Sequence, residues 1–333
     1  MIKGFGSLRN NINIPDAIVV IVTYNSEFDI ETCIQSLVQH FPLLNQGRAQ
    51  VHIVDNASSD STPELLSMFA EKYCWLNVHF QRENLGFGAG NNVVLKSIPS
   101  NAYVLLNADT SLVADSISPA VEYLATHSEI GVLGLPLVYP DGSPQSYTFV
   151  ASAWHRWLLL LIGLRQLAKI FASLNFINKL IRPFPFFHNF ANNHAKKTLD
   201  LSNPMAIAAS FSGETRLVSW VAGAAMLLSS NFVKESRGFD SNIFLYGEDE
   251  DLCIDARRRG YSVMALQTPP VVHKLGWGGD SGFQPRVARM KYDSLKYFIR
   301  KNIDGNFNRF MMQILLPFYV YGRHIIKFIR PSN

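Results

Sequence analysis

The segment Phe244-Leu245-Tyr246-Gly247-Glu248-Asp249-Glu250-Asp251 places four consecutive carboxylates behind two aromatic residues and a glycine. Carboxylates in a first helical turn are favoured by the helix dipole, so a helix cap is one use of such a run. The preceding aromatics and glycine suggest another: a loop held against a pocket, where desolvation lifts one carboxylate pKa toward that of a working general base. An EF-hand is excluded, because counting from Asp249 the third ligand position is Cys253 and no glycine follows. Asn107-Ala108-Asp109, after the apolar run Tyr103 to Leu106, points to different chemistry. A carboxylate there can hold a divalent ion against a diphosphate, since Mg and Mn prefer hard oxygen ligands and often take only one or two from protein. His273, behind Pro269 to Val272, can supply an imidazole to the same ion. No GxxxxGK[ST] loop is present, which removes P-loop chemistry. Gly86-Phe87-Gly88-Ala89-Gly90 is a poor match to the dinucleotide pattern GxGxxG.

The residues before Val138 explain how such side chains could meet. Ala17 to Val22 is a continuous β-branched run ending at Thr23-Tyr24-Asn25, and Ile30 to Val38 repeats apolar residues at helical spacing. Val51 to Val54 ends at Asp55-Asn56, and Thr62-Pro63-Glu64 opens a helix with an N-cap and a proline at its first position. Trp75 to Phe80 predicts a third strand, Gly86 to Leu95 a loop entering a helix, and Tyr103 to Leu106 a fourth strand. Ser116 to Thr126 predicts a helix and Val132 to Val138 a strand closed by Pro140-Asp141-Gly142. Apolar strands separated by helices predict an α/β fold with a mostly parallel central sheet. Ligands of such sheets bind beyond the carboxyl ends of the strands, so the polar residues behind each strand should converge on one crevice.

Beyond Phe149 the texture changes. Residues 154–182 carry Arg156, Arg165, Lys169, Lys179 and Arg182 without an acid, interleaved with Trp, Leu, Ile and Phe, and predict basic amphipathic helices. Residues 188–213 read as a loop, Leu217 to Ser229 as a strand pair, Ser262 to Leu266 as the last strand and residues 285–303 as a basic helix. The expected organisation is an N-terminal extension (1–15), a catalytic domain (16–283) with an insertion at 151–213, and a basic helical segment (284–333). Residues 1–150 hold 6 basic and 14 acidic side chains, whereas residues 284–333 hold 10 and 2. This asymmetry suggests that the C-terminal part meets an anionic surface. The longest apolar runs, Trp157 to Leu164 and Phe310 to Gly322, fall short of the roughly 20 residues of a spanning helix. With basic residues alternating with Leu, Phe and Ile, an interfacial helix at an anionic membrane is favoured, and an ordinary lid or homodimer contact is the alternative. Nucleic acid is discounted for want of a polar basic groove. The N-terminus shows no signal-peptide h-region, and three scattered cysteines suit neither a disulfide framework nor a zinc cluster. The expectation is a cytoplasmic protein, peripheral at the inner face of the cell membrane.

Taken in order, TYN behind the first strand, VDNASSDST (54–62), ENLGFGAGNN (83–92), LLNADT (105–110), WVAGAAMLL (220–228), GFD (238–240), LYGEDEDLC (245–253) with RRRGY (257–261), and VVH (271–273) resemble family 2 glycosyltransferases of the GT-A fold, nearest to the rhamnosyltransferase-like branch. The resemblance implies a Rossmann-like central sheet with flanking helices and an inverting transfer of a sugar, with rhamnose favoured, from a nucleotide-diphosphate donor to a hydroxyl of a glycan or lipid-diphosphate acceptor in bacterial surface polysaccharide synthesis. It implies that Thr23, Tyr24 and Asn25 line the nucleoside pocket, that Asp55 accepts from the base, and that Asn84, Gly86 and Phe87, with Asn91 or Asn92, pack against nucleotide and sugar. Asp109, with Asn107 beside it, matches the metal-binding DxD motif, His273 a position that can ligate Mg or Mn, and Asp249 with Glu248 the catalytic acid pair. The motif begins with Asn107 where the pattern has Asp, leaving Asp109 as its only carboxylate. The competing readings are a nucleotidyltransferase, which lacks a basic loop behind the first strand here, and a non-catalytic nucleotide-sugar scaffold, against which Asp109 and Asp249 stand.

Overall fold

A computed structural model describes residues 14–149, 215–236, 238–275 and 285–329. The predicted basic helices at 154–182 and the loop at 188–213 lie outside the described residues. The first half alternates strand and helix: β1 (Ala17–Thr23), α1 (Ile30–His40), α2 (Pro42–Asn45), β2 (Ala49–Asp55), α3 (Thr62–Lys72), β3 (Leu76–Phe80), α4 (Phe87–Leu95) and β4 (Ala102–Asn107). There follow β5 (Thr110–Leu112), α5 (Ser118–Thr126), β6 (Ile130–Gly134), β7 (Leu137–Val138), β8 (Pro144–Gln145) and β9 (Thr148–Phe149). Beyond the undescribed stretch come β10 (Arg216–Leu217), β11 (Trp220–Val221), β12 (Ala225–Ser229), α6 (Ser230–Ser236), α7 (Glu248–Arg258), β13 (Ser262–Ala265), β14 (Val271–His273), α8 (Pro285–Asn302) and α9 (Asn306–Ile329).

Among the described residues, eight strands form the main sheet in the order β10-β13-β6-β12-β4-β1-β2-β3. β1, β2, β3 and β4 are mutually parallel, and β12 runs antiparallel between β4 and β6. Ala17 to Ile21 are 0% exposed, as befits a β-branched run covered on both faces. Each such side chain contributes about 1.5–3 kcal/mol of burial, so this run fixes the register of its neighbours. That register sets Thr23 opposite Asp55 and Val22 opposite Asn107, which aligns three polar strand tips.

Three local expectations are corrected. The run 132–138 is two strands, because Pro136 lacks the N–H that a continuing ladder needs; β6 stays in the main sheet while β7 joins a small sheet, β5-β14-β7-β8. Ser262 to Leu266 is not the last strand, since β14 follows and carries His273 into that small sheet. Thr62 does not cap α3 with its hydroxyl, which accepts from Ser26 N at 2.8 Å; Asp60 Oδ1 accepts the Thr62 N–H at 3.1 Å instead.

The C-terminal helices α8 and α9 have a core of their own, in which Leu295, Phe298, Ile299, Met312 and Leu316 bury Ile243 from the turn before α7. Cys33 and Cys253 are buried thiols and Cys74 is exposed. No helix among the described residues is long and apolar enough to cross a membrane.

Candidate active site

The tips of β1 and β2 form one wall. Asp55 is 2% exposed and accepts from Thr23 Oγ1 at 2.9 Å, Ser58 N at 3.0 Å and Ser58 Oγ at 2.6 Å. A carboxylate has about four lone-pair sites, so one remains for a further donor. Asn25, at φ 52, donates its N–H to Ser58 Oγ at 2.8 Å and accepts from Ser59 N at 2.8 Å through Oδ1. The Tyr24 N–H donates to Ser26 Oγ at 3.3 Å, which holds the loop behind β1 in a tight turn.

The loop before α4 forms the floor. Asn84 Oδ1 accepts from Gly86 N at 2.9 Å, and Asn56 Nδ2 donates to Gly86 O at 3.1 Å. Gly86 sits at φ 83, and a Cβ there would stand 2.4 Å from Phe244 O, so only glycine permits this approach to the acidic turn. The Phe87 N–H donates to the same Phe244 carbonyl at 3.3 Å. Asn91 is buried and donates Nδ2 to Phe87 O at 3.0 Å, while its Oδ1 has no hydrogen-bond partner. Asn92, the alternative to Asn91 in the sequence, exchanges two bonds with the Phe239 backbone and ties α4 to the loop before α7.

Asp249 reaches this wall through the turn before β12. Its Oδ2 accepts from Gly223 N at 3.2 Å and its Oδ1 from Glu250 N at 2.8 Å. Gly223 lies between Phe87 and Asp249, with its Cβ position 3.3 Å and 3.4 Å from their nearest atoms. The next residue, Ala224, accepts from Asn107 N at 3.0 Å. A two-residue turn thus joins the acidic helix start to the tip of β4.

Asn107 and Asp109 meet His273 there. His273 Nε2 is 3.3 Å from Asn107 Nδ2 and 3.4 Å from Asp109 Oδ1. Its Nδ1 lies 2.7 Å from Gln145 Oε1, and Gln145 Nε2 donates to His273 O at 3.4 Å. The second bond fixes the amide, so its oxygen faces Nδ1 and assigns the proton to that nitrogen. Nε2 then presents a lone pair to the Asp109 carboxylate, an arrangement that favours a cation between them. One carboxylate oxygen and one imidazole nitrogen suit Mg or Mn when ligand oxygens and water complete the shell. No group of three or more His, Cys, Asp or Glu that could hold a metal occurs among the described residues. Gln145 escaped the sequence reading because a lone Gln in a two-residue strand carries no motif.

The four carboxylates of the turn divide in environment. Asp249 is partly exposed, whereas Glu248 is 8% exposed with its Oε2 unpartnered. Burial first, then the charge of Asp249, push the Glu248 carboxyl up to about 8. Asp251 pairs with Lys301 Nζ at 2.7 Å and accepts from Asn302 Nδ2 at 2.7 Å, so it anchors α7 to α8. Lys301 also holds Asp240 at 2.8 Å; although burial opposes it, that bond helps keep the Asp240 carboxyl down at about 2. Ser294 Oγ accepts from Phe244 N and Leu245 N, both at 3.2 Å, and pins the start of the turn to α8. Four non-glycine residues have positive φ among the described residues, and Asn25, Ala57, Tyr246 and Leu275 all flank this site. Such conformations collect where geometry outweighs strain.

The glycosyl transferase family 2 model matches residues 18–189, just over half of the chain. The chain belongs to glycosyl transferase family 2. An N-acetylglucosaminyl-diphospho-decaprenol L-rhamnosyltransferase of Mycobacterium tuberculosis is 21% identical over 266 residues, covering 77% of this chain and 75% of its own. Among solved structures, S. aureus TarS matches with a TM-score of 0.53 at 13% identity, over 91% of this chain and 43% of its own, so the chain spans less than half of TarS. The mannosyltransferase PcManGT from Pyrobaculum calidifontis, solved with GDP-Man and Mn2+, matches with a TM-score of 0.51 at 16% identity, over 93% and 70% of the two chains. The fold of this glycosyltransferase is accordingly GT-A.

Proposed function

We propose that the enzyme transfers a sugar, with inversion at its anomeric carbon, from a nucleotide-diphosphate donor to a hydroxyl of a lipid-diphosphate-linked glycan in bacterial surface polysaccharide synthesis, at the inner face of the cell membrane. The observation that carries this reading is the turn Gly223-Ala224, which binds the Asp249 carboxylate on one side and the Asn107 backbone on the other. It sets the group able to take a proton beside the group able to hold a diphosphate.

In this reading Thr23, Tyr24, Asn25 and Asp55 bind the nucleoside, and Asn84, Gly86, Phe87 and Asn91 shape the floor under nucleotide and sugar. Asp249 takes the proton of the acceptor hydroxyl as that oxygen attacks C1. The N–H groups of Gly223 and Glu250 each donate to one Asp249 oxygen and hold the carboxylate in place. Glu248 acts through Asp249: a neutral carboxyl there adds no second charge beside the base. Mg or Mn, when held by Asp109 and His273, supplies neutralisation of the departing diphosphate. The relative's acceptor class, a lipid diphosphate, supports the acceptor, and its rhamnosyl transfer supports a deoxyhexose donor such as dTDP-rhamnose.

The test is a panel of dTDP-, UDP- and GDP-sugars, each with Mn2+, screened by the rise in melting temperature that ligand binding to the native state produces. The donor giving the largest rise is then incubated with a lipid-diphosphate acceptor, and the anomeric configuration of the product is read by NMR. Inverted product supports the reading, whereas retained configuration or no stabilisation by any donor overturns it.

A further inference from the structure

Helix α8 lies along the acidic turn and places a cation where its packing calls for an apolar side chain. Ala288, Ser294, Leu295 and Phe298 are buried, and at 100° per residue Lys291 falls within about 60° of all four. Arg286 and Arg289 of the same helix are exposed, as helix cations ordinarily are. Lys291 is half-buried, with Nζ 4.4 Å from the centre of the Tyr246 ring and 5.3 Å from that of Tyr319 in α9. Ring faces attract an ammonium ion and keep it charged where water is scarce. Tyr246 is itself fixed: it adopts φ 73, Ser294 Oγ holds the Phe244 and Leu245 N–H groups before it, and Leu295 and Phe298 pack on Gly247 behind it. Glu248, two residues on from Tyr246, does not consume this cation. A lysine spent on it would hold its carboxyl down, whereas burial and the Asp249 charge push it up to about 8.

We infer that Lys291, clasped between Tyr246 and Tyr319, binds the diphosphate of the acceptor. The inference deepens, and rests on, the lipid-diphosphate acceptor reading. The donor's diphosphate is assigned to Asp109 and His273, a corner that Asp249 meets through Gly223 and Ala224, whereas Lys291 belongs to the α8 side of the turn. The two ends of an acceptor can therefore be held separately from the donor. With about 3.8 Å between successive Cα atoms, the Cα of Tyr246 lies at most about 11 Å from that of Asp249. An acceptor with one sugar or a short glycan between its hydroxyl and its diphosphate can thus touch base and lysine together. The half-buried setting strengthens the charge of Lys291 toward a phosphate oxygen, because fewer water molecules screen it.

Two acceptors carrying the same glycan test this, one on an isoprenyl diphosphate and one on an uncharged alkyl glycoside. In Lys291→Gln the preference for the diphosphate-linked acceptor, taken as a ratio of kcat/KM values, is expected to fall about tenfold or more, the loss of one hydrogen bond to a charged group. Lys291→Arg, which keeps the cation, is expected to retain most of the preference. A second measurement needs neither donor nor turnover. Calorimetric titration of geranyl diphosphate into the full chain, with EDTA present so that no metal bridges it to Asp109, is expected to show binding that uncharged geraniol does not match and that Lys291→Gln weakens about tenfold or more. A preference undiminished in Lys291→Gln would overturn the assignment. So would wild-type binding of geranyl diphosphate no tighter than that of geraniol, a result that does not depend on the variant folding. Lysine-dependent binding of geranyl diphosphate by a protein that transfers no sugar would sink the functional reading and leave the diphosphate site standing.

Discussion

Glu248 lends itself to a quantitative perturbation. Its side chain is buried, its Oε2 lacks a partner, and desolvation followed by the Asp249 charge raises its carboxyl from 4.5 to about 8. An acid with a raised folded-state pKa keeps its proton in the native state after the unfolded chain has lost it. The native state then binds more protons, so stability falls as pH rises from about 4.5 and levels off above about 8. At about 1.4 kcal/mol per pKa unit, the penalty near pH 8 reaches roughly 4 kcal/mol at most, and sharing the titration with Asp249 reduces the part a substitution recovers to roughly 2 kcal/mol. Glu248→Gln keeps the shape without the charge. Calorimetric melting of both proteins from pH 4.5 to 8.5 should show the variant more stable at the alkaline end by roughly 3 °C, with the gap closing at the acid end. Since Asp249 is the proposed base, turnover of the variant should stay within about tenfold of wild type. A gap that does not change with pH, or a variant less stable than wild type at pH 8, would refute the reasoning.

Two further substitutions probe the supports of the site. Gln145→Ala removes the partner of His273 Nδ1 and should weaken Mn2+ binding by about 10–100-fold in an EPR titration, with recovery in Gln145→Glu; an unchanged Mn2+ affinity would show that the imidazole is oriented by other means. Gly86→Ala forces a Cβ to 2.4 Å from the Phe244 carbonyl at a positive φ. It should cost about 2 kcal/mol or more, a melting-temperature loss of roughly 3 °C or more, together with weaker donor binding in a calorimetric titration.

Much of this architecture was legible in the sequence because burial on both faces leaves a strong mark. The run Ala17 to Val22 predicted β1 and the tip at Thr23, and the spacing of Ile30, Cys33, Ile34 and Leu37 predicted the buried face of α1. The placing of His273 was less legible. It depends on β14, a three-residue strand whose pairing with β5 and β7 is a long-range choice that no local periodicity encodes. The strand break at Pro136 was visible in the residue type, yet the apolar run around it masked the signal. The division of labour within Glu248 to Asp251 could not be read from four adjacent acids. It follows from which of them α8 covers: Lys301 and Asn302 claim Asp251, while the Asp249 carboxylate turns toward Gly223.

The most direct measurement compares Asp249→Asn with the wild type in two assays on the same preparation: single-turnover sugar transfer, and calorimetric binding of the donor nucleotide in the presence of Mn2+. With melting temperatures matched, the account predicts a loss of about 10² or more in the transfer rate and donor affinity within about twofold of wild type. Wild-type turnover in the variant, or loss of donor binding in place of the chemical step, would contradict it.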